Sequence, residues 1–121
     1  MLKEAEAFKF RIQKLNESVD DALIVVEGQK DKKALELLLK AELFILNKQK
    51  RSLYEAAEEI AKKGKKVILM LDADRKGRDL ERKLSIYLQS MRIDVRKERQ
   101  ILKLAKVRAV EDLASAVSGL L

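Results

Sequence analysis

The run Val67-Ile68-Leu69-Met70-Leu71-Asp72-Ala73-Asp74 is five apolar residues followed at once by an acid, a small residue and a second acid. Unbroken apolarity over that length, opened by two β-branched residues, predicts a strand buried on both faces, as in a parallel sheet. Gly77 follows, and Asp79 to Ser90 places Leu80, Leu84, Tyr87 and Leu88 on one side of a predicted helix. The same grammar stands upstream. Ala22-Leu23-Ile24-Val25-Val26 is apolar, ends sharply at Glu27-Gly28, and gives way to a predicted helix over Lys30 to Lys40. Glu42 to Leu46 is a second predicted strand, closed by Asn47-Lys48. Ser52-x-x-Glu55 is a capping-box signature that opens a helix with Leu53, Ala56, Ala57 and Ile60 on its apolar stripe, and Gly64 is its natural stop.

The ends of the chain complete the pattern. Phe8, Ile12, Leu15 and Val19 recur at helical spacing, so residues 1–19 are expected to form a helix packed on a domain spanning 20–121. Ile93 to Arg96 is a fourth predicted strand, residues 97–109 carry no decisive period, and Glu111 to Val117 is a last predicted helix. Strands that alternate with helices at this spacing predict an α/β fold: about four strands, mainly parallel, with helices on both faces. Such sheets place their sites beyond the carboxyl ends of the strands, which directs attention to Glu27, Asn47, Asp72 and Asp74.

Composition narrows the chemistry. The 121 residues are 47% hydrophobic, enough for a packed single domain, and 39% charged. There is no Cys and no His, which excludes disulfides, cysteine–zinc sites, thiol nucleophiles and histidine bases. A metal would have to be held by oxygen, which suits Mg²⁺, with Mn²⁺ as the alternative. The lack of Cys, His, Trp and Pro beside many charges resembles a thermophile's usage. No apolar run approaches the roughly 20 residues that span a bilayer, and the N-terminus has no apolar signal region, so the expected compartment is the cytoplasm.

Glu27, Asp72 and Asp74 would converge if their strands were neighbours, and three carboxylates in one place repel unless a hard cation sits among them. An Asp-x-Asp pair on an extended segment sends both side chains the same way. The competing reading is helix capping, which accounts for Asp31 and partly for Asp74 but not for Glu27, four residues before Asp31.

Ile24-Val25-Val26-Glu27-Gly28-x-x-Asp31, with Ile68-Leu69-Met70-Leu71-Asp72-x-Asp74-x-x-Gly77, resembles the Toprim domain of topoisomerases, bacterial-type primases, recombination mediators and ribonuclease M5. The resemblance covers about residues 20–117 and is closest in type to small stand-alone archaeal Toprim proteins and the ribonuclease M5-like group. Val110-Glu111-Asp112 is similar to the end of the latter's domain, whereas Asp72-Ala73-Asp74-Arg75-Lys76-Gly77 is closer to the topoisomerase form of the motif. The resemblance implies a Rossmann-like Toprim fold, Mg²⁺ on Asp72 and Asp74, and Glu27 as general acid/base or metal ligand. It further implies that Gly28 and Gly77 allow tight turns and close phosphate approach, and that Asp31 orders the loop after Glu27 or helps the metal through water.

The net charge of +7 is local. Residues 75–108 hold 12 Lys/Arg and four acids, a balance of +8, against −1 for the rest. Arg75, Lys76, Arg78 and Arg82, with Lys30 beside Glu27, are the candidate nucleic-acid contacts. Few aromatics interleave them, which favours backbone and shape recognition over base stacking. Tyr87, on an apolar stripe, is read as core and not as a nucleophile. The expected function is a Mg²⁺-dependent phosphodiesterase acting on RNA in preference to DNA. The alternative is a Toprim module that binds RNA or DNA within a larger complex without cutting it. A phosphoacceptor regulator also gathers acids at strand ends, but its acid pair follows the first strand, where this chain has a single Glu.

Overall fold

A computed structural model describes residues 2–17, 19–48 and 50–120. A helix, α1 (Leu2–Glu17), is followed by a 3-10 turn at Val19–Asp21, then β1 (Ala22–Val26), α2 (Gln29–Glu36), β2 (Glu42–Ile45), α3 (Leu53–Lys62) and β3 (Lys66–Leu69). The chain continues through α4 (Arg75–Ser90), β4 (Val95–Lys97), α5 (Gln100–Ala105), a 3-10 turn at Val110–Asp112 and α6 (Leu113–Leu120). The strands form one sheet in the order β2-β1-β3-β4, and every pairing is parallel.

That order explains where the helices lie. The first crossover steps outward from β1 to β2, and the second returns past β1 to β3. A right-handed crossover that reverses direction along the sheet must use the opposite face. Accordingly α3 and α4 share one core with Leu23, Val25, Val67 and Leu69, through Ala57, Ile60, Leu84 and Leu88. The alternate residues Ile24, Val26, Ile68 and Met70 face a second core made by α1, α2, α5 and α6, with Phe8, Leu35, Ile101 and Leu113 among the most buried members. All five residues of β1 are buried, as their unbroken apolarity predicts.

Several element boundaries differ from the sequence reading for physical reasons. α1 stops at Glu17, so Val19 belongs to the following 3-10 turn and not to the helical stripe. α2 ends at Glu36; Leu39 turns into the core while Leu37 is 76% exposed, so the apolar cluster is not one helical face. β2 ends at Ile45, and Leu46–Lys48 forms a 3-10 turn whose Asn47 N–H donates to the Glu27 carbonyl at 3.0 Å. α4 begins at Arg75, four residues before Asp79, because the Asp74 side chain caps it. A left-handed Arg92, φ 63°, draws Ile93 into the turn and delays β4 to Val95. The ambiguous 97–109 stretch contains α5.

The N-terminal helix is fixed to the domain by chemistry as well as packing. Glu98, 3% exposed, accepts from Arg11 Nε at 3.1 and 3.2 Å and is bridged by the same guanidinium. Its Oε2 also accepts from the Ile101 N–H at 3.1 Å, at the start of α5. Asn16 joins α1 to the segment after α2, donating to the Leu38 carbonyl at 3.1 Å and accepting from the Lys40 N–H at 3.0 Å. No helix among the described residues is long and apolar enough to cross a membrane.

Candidate metal and nucleic-acid site

β1 and β3 are neighbours whose onward connections leave in opposite directions, so a crevice opens beyond their carboxyl ends. Glu27 directly follows β1, and Asp72 lies three residues beyond the end of β3. The site therefore follows from strand order, and the strand order from which apolar runs are buried.

Glu27 is half-withdrawn from solvent. Its Oε1 is buried and has no hydrogen-bond partner, and its Oε2 stands 3.8 Å from the ammonium of Lys76. Burial raises its pKa above the ordinary carboxylate value; Lys76 opposes the rise, while Asp72, Asp31 and Asp74 add to it. Asp31, 7% exposed, is likewise raised, first by burial, against a hydrogen bond from Gly28 and with help from Asp72 and Glu111. The acids therefore feel one another across the crevice.

The two aspartates of the Asp-x-Asp pair each have a structural partner. Asp72 Oδ1 accepts from the Val110 N–H at 2.8 Å. Asp74 Oδ1 accepts from the Gly77 N–H at 2.7 Å, capping α4. Each carboxylate is thus aimed by one oxygen, with the other not used in that bond. Gly77 is fixed by close approach: a Cβ there would run into the Asp72 carbonyl oxygen and stand 2.9 Å from its carbon. Gly28 is different. Its φ of −140° is open to any residue, and a Cβ would meet only Asp31 Oδ2, at 4.0 Å. The expected tight turn at Gly28 is in fact an N-cap whose N–H donates to Asp31 Oδ2 at 2.9 Å. Asp31 orders the loop after Glu27 by that bond.

The donor set fits a hard divalent cation. It offers only oxygen, one buried carboxylate oxygen lacks any partner, and the surrounding acids raise the cost of leaving it so. Among the described residues no three acids are grouped tightly enough to grip an ion between them. One or two carboxylates with water completing the shell is the habit of Mg²⁺.

The basic candidates separate in space. Arg75 and Arg78 line a cleft of about 540 Å³ together with Asp72 and Asp74, and Arg99 and Arg108 form more of its wall. Lys76 faces Glu27. Arg82 is held by Asp79 at 2.7 Å. Lys30 lines a separate cleft with Glu111 and Asp112, apart from the Asp-x-Asp pair. Three further contributors stand outside the residues singled out for the site in the sequence. The Arg108 carbonyl accepts from the Ala73 N–H at 2.7 Å, which docks the 107–110 loop on the Asp-x-Asp segment. Arg99 is held from below by buried Glu81, which raises the guanidinium's pKa. Glu111 adds an acid beside Asp31. Arg99 and Arg108 belong to the basic stretch 75–108, and the motif-end similarity of Val110-Glu111-Asp112 pointed to Glu111.

Comparison with known proteins agrees with this geometry. The chain is 36% identical to a UPF0292 protein of Pyrococcus abyssi over 88% of its length and 80% of the relative's. It is 34% identical to a UPF0292 protein of Pyrococcus horikoshii over 94% and 86% of the two chains. A solved protein of Aquifex aeolicus superposes with a TM-score of 0.70 at 29% identity, covering 84% of this chain and 93% of that one. The Toprim domain model matches residues 22–111, from the first residue of β1 to the acid beside Asp31, and the chain belongs to the Toprim domain family.

Proposed function

We propose that the protein is a Mg²⁺-dependent nucleic-acid phosphodiesterase, with Mn²⁺ able to replace Mg²⁺ and RNA as the substrate. Family membership associates the chain with metal-dependent, nucleic-acid-related work. The observation that carries the finer reading is the buried, unpartnered Glu27 Oε1 set among Asp31, Asp72 and Asp74. An orphaned buried carboxylate oxygen is costly, and its retention at a strand end facing other acids argues for a ligand or a proton.

Asp72 and Asp74, each aimed by its own backbone bond, are the residues that would hold the metal, and Glu27 would reach it through water. The metal when bound supplies charge neutralisation at the scissile phosphate and a more acidic water. Glu27 is placed to give or take a proton, shielded from bulk water by burial and steadied by Lys76. Arg75 and Arg78 hold the substrate's phosphates beside the carboxylates.

The test is cleavage of a structured RNA and of a matched DNA with and without Mg²⁺, using wild type and Glu27→Gln. Cleavage of the RNA that requires Mg²⁺ and disappears in the variant supports the proposal; cleavage that persists in EDTA or in the variant contradicts it. One observation favours a binding module that does not cut. The backbone bonds of Asp72 and Asp74 give both residues structural work that is independent of metal. In that case Asp72→Asn leaves RNA retention intact while Arg75→Ala with Arg78→Ala weakens it.

A further inference from the structure

Three clefts adjoin one another on the β4 side of the sheet. The first contains the Asp-x-Asp pair with Arg75, Arg78, Lys103 and Arg108. The second shares Arg99 and Lys103 with the first, and adds Lys97. The third shares Arg11, Lys97 and Glu98 with the second, and reaches Lys66 and Arg96 near the amino ends of β3 and β4. Together they run from the carboxyl ends of the strands to the opposite end of the sheet.

The charge along that path is not neutralised internally. Arg75, Arg78, Lys103 and Arg108 have no ion-pair partner among the described residues, nor do Lys66, Arg96 and Lys97. The two buried acids on the path, Glu81 and Glu98, are each committed to one arginine, Arg99 and Arg11. The β2 side is organised differently. There Arg51 pairs with Glu59 at 2.8 Å, and Lys63 and Lys65 pair with Glu42 at 2.8 and 3.0 Å, leaving Lys48 and Lys62 in that cleft. Cations kept unpaired at a surface repel one another unless an anion lies over them.

We propose that the β4 side is a continuous track for the phosphate backbone of a helical RNA, which enters over β4 and α5 and reaches the carboxylates past Lys103, Arg108 and Arg78. This deepens the nuclease reading and rests on it for the identity of the polymer. The helical form follows from the lining. No aromatic side chain borders any of the three clefts, so unstacked bases would find no platform, whereas guanidinium and ammonium groups suit a regular phosphate backbone. The length of the path argues for several phosphates and not for one terminal group.

The experiment compares two charge-matched double variants of the full chain, Arg96→Ala with Lys97→Ala on the β4 side and Lys63→Ala with Lys65→Ala on the β2 side. Retention of a labelled RNA hairpin is measured in EDTA over a series of salt concentrations, beside an unstructured strand of the same composition. The β4 pair is expected to weaken hairpin binding about tenfold and to flatten the log–log salt dependence by about 2, one phosphate contact per lost cation. The β2 pair is expected to change affinity less than about twofold, with the slope preserved. Equal losses in the two variants overturn the track. Equal affinity and slope for hairpin and unstructured strand overturn its helical occupant. A wild type that retains neither overturns the track together with the choice of RNA. Because EDTA removes catalysis, a protein that binds as expected but never cuts fails the nuclease reading alone.

Discussion

Two glutamates at opposite ends of adjacent strands have opposite fates. Glu42 opens β2 at the amino end of the sheet, where Lys63 and Lys65 hydrogen-bond both its oxygens and lower its pKa. Glu27 follows β1 at the carboxyl end, where burial and neighbouring acids raise its pKa and one oxygen has no partner. The first arrangement satisfies a charge; the second withholds satisfaction. Against burial and repulsion Glu27 has the Lys76 ammonium at 3.8 Å and no partner for Oε1, which is the pattern expected of a functional position.

The sharpest way to break the contrast is to remove the charge of Glu27 alone. Glu27→Gln is expected to lower RNA cleavage about a hundred- to ten-thousandfold in single-turnover assays while leaving the fold intact. Next in size is Arg11→Ala, which leaves Glu98 buried without its counter-ion. We expect a loss of about 3 kcal/mol in chemical denaturation, because breaking one partner of a buried pair uncovers the other. Gly77→Ala should cost about 1–3 kcal/mol, since the new Cβ meets the Asp72 backbone, and it should depress cleavage by moving Asp72. Glu42→Gln, at a surface pair, should shift stability by less than about 1 kcal/mol and leave cleavage unchanged.

The same pair of acids gives opposite pH signatures. A carboxyl whose folded pKa is raised destabilises the fold when ionised; that penalty is fully present above the folded pKa and disappears toward the ordinary value of 4.5. Stability of the wild type relative to Glu27→Gln should therefore rise as pH falls through that window. Glu42 has the reverse sign: its contribution is present above 4.5 and is lost as pH falls through its lowered folded value. Denaturation curves of wild type, Glu27→Gln and Glu42→Gln across the acid range separate the two.

The parts of the molecule that repeat along the chain were legible in the sequence. Ala22–Val26 and Val67–Leu71 announce buried strands by unbroken apolarity, and Ser52 and Glu55 announce α3 by their spacing, with the box bonds present at 3.0 Å in each direction. The acids beyond the strands were legible because each follows an apolar run: Glu27 adjoins β1 directly, whereas β3 ends at Leu69 and its buried run continues through Met70 and Leu71 to Asp72. α5 was not. Its first turn is capped from Glu98 and its end is a left-handed Lys106, so it carries neither a Ser/Thr/Asp/Asn start nor a Gly stop. The Arg11–Glu98 pair joins residues 87 positions apart and leaves no local pattern. The docking of Val110 on Asp72 spans 38 positions and was equally silent. The sequence reading begins α4 at Asp79, after Gly77, whereas the Asp74 cap starts it at Arg75 and the close approach of Asp72 leaves no room for a side chain at Gly77.

The claim that the carboxyl ends of β1 and β3 form a divalent-cation site is tested most directly by titrating the protein with Mn²⁺ and following the free ion by electron paramagnetic resonance. Wild type should bind Mn²⁺, Mg²⁺ should displace it, and Glu27→Gln should bind it at least about tenfold more weakly, the change expected when one buried carboxylate oxygen loses its charge. Binding of equal strength in wild type and Glu27→Gln, or none in wild type, would contradict it.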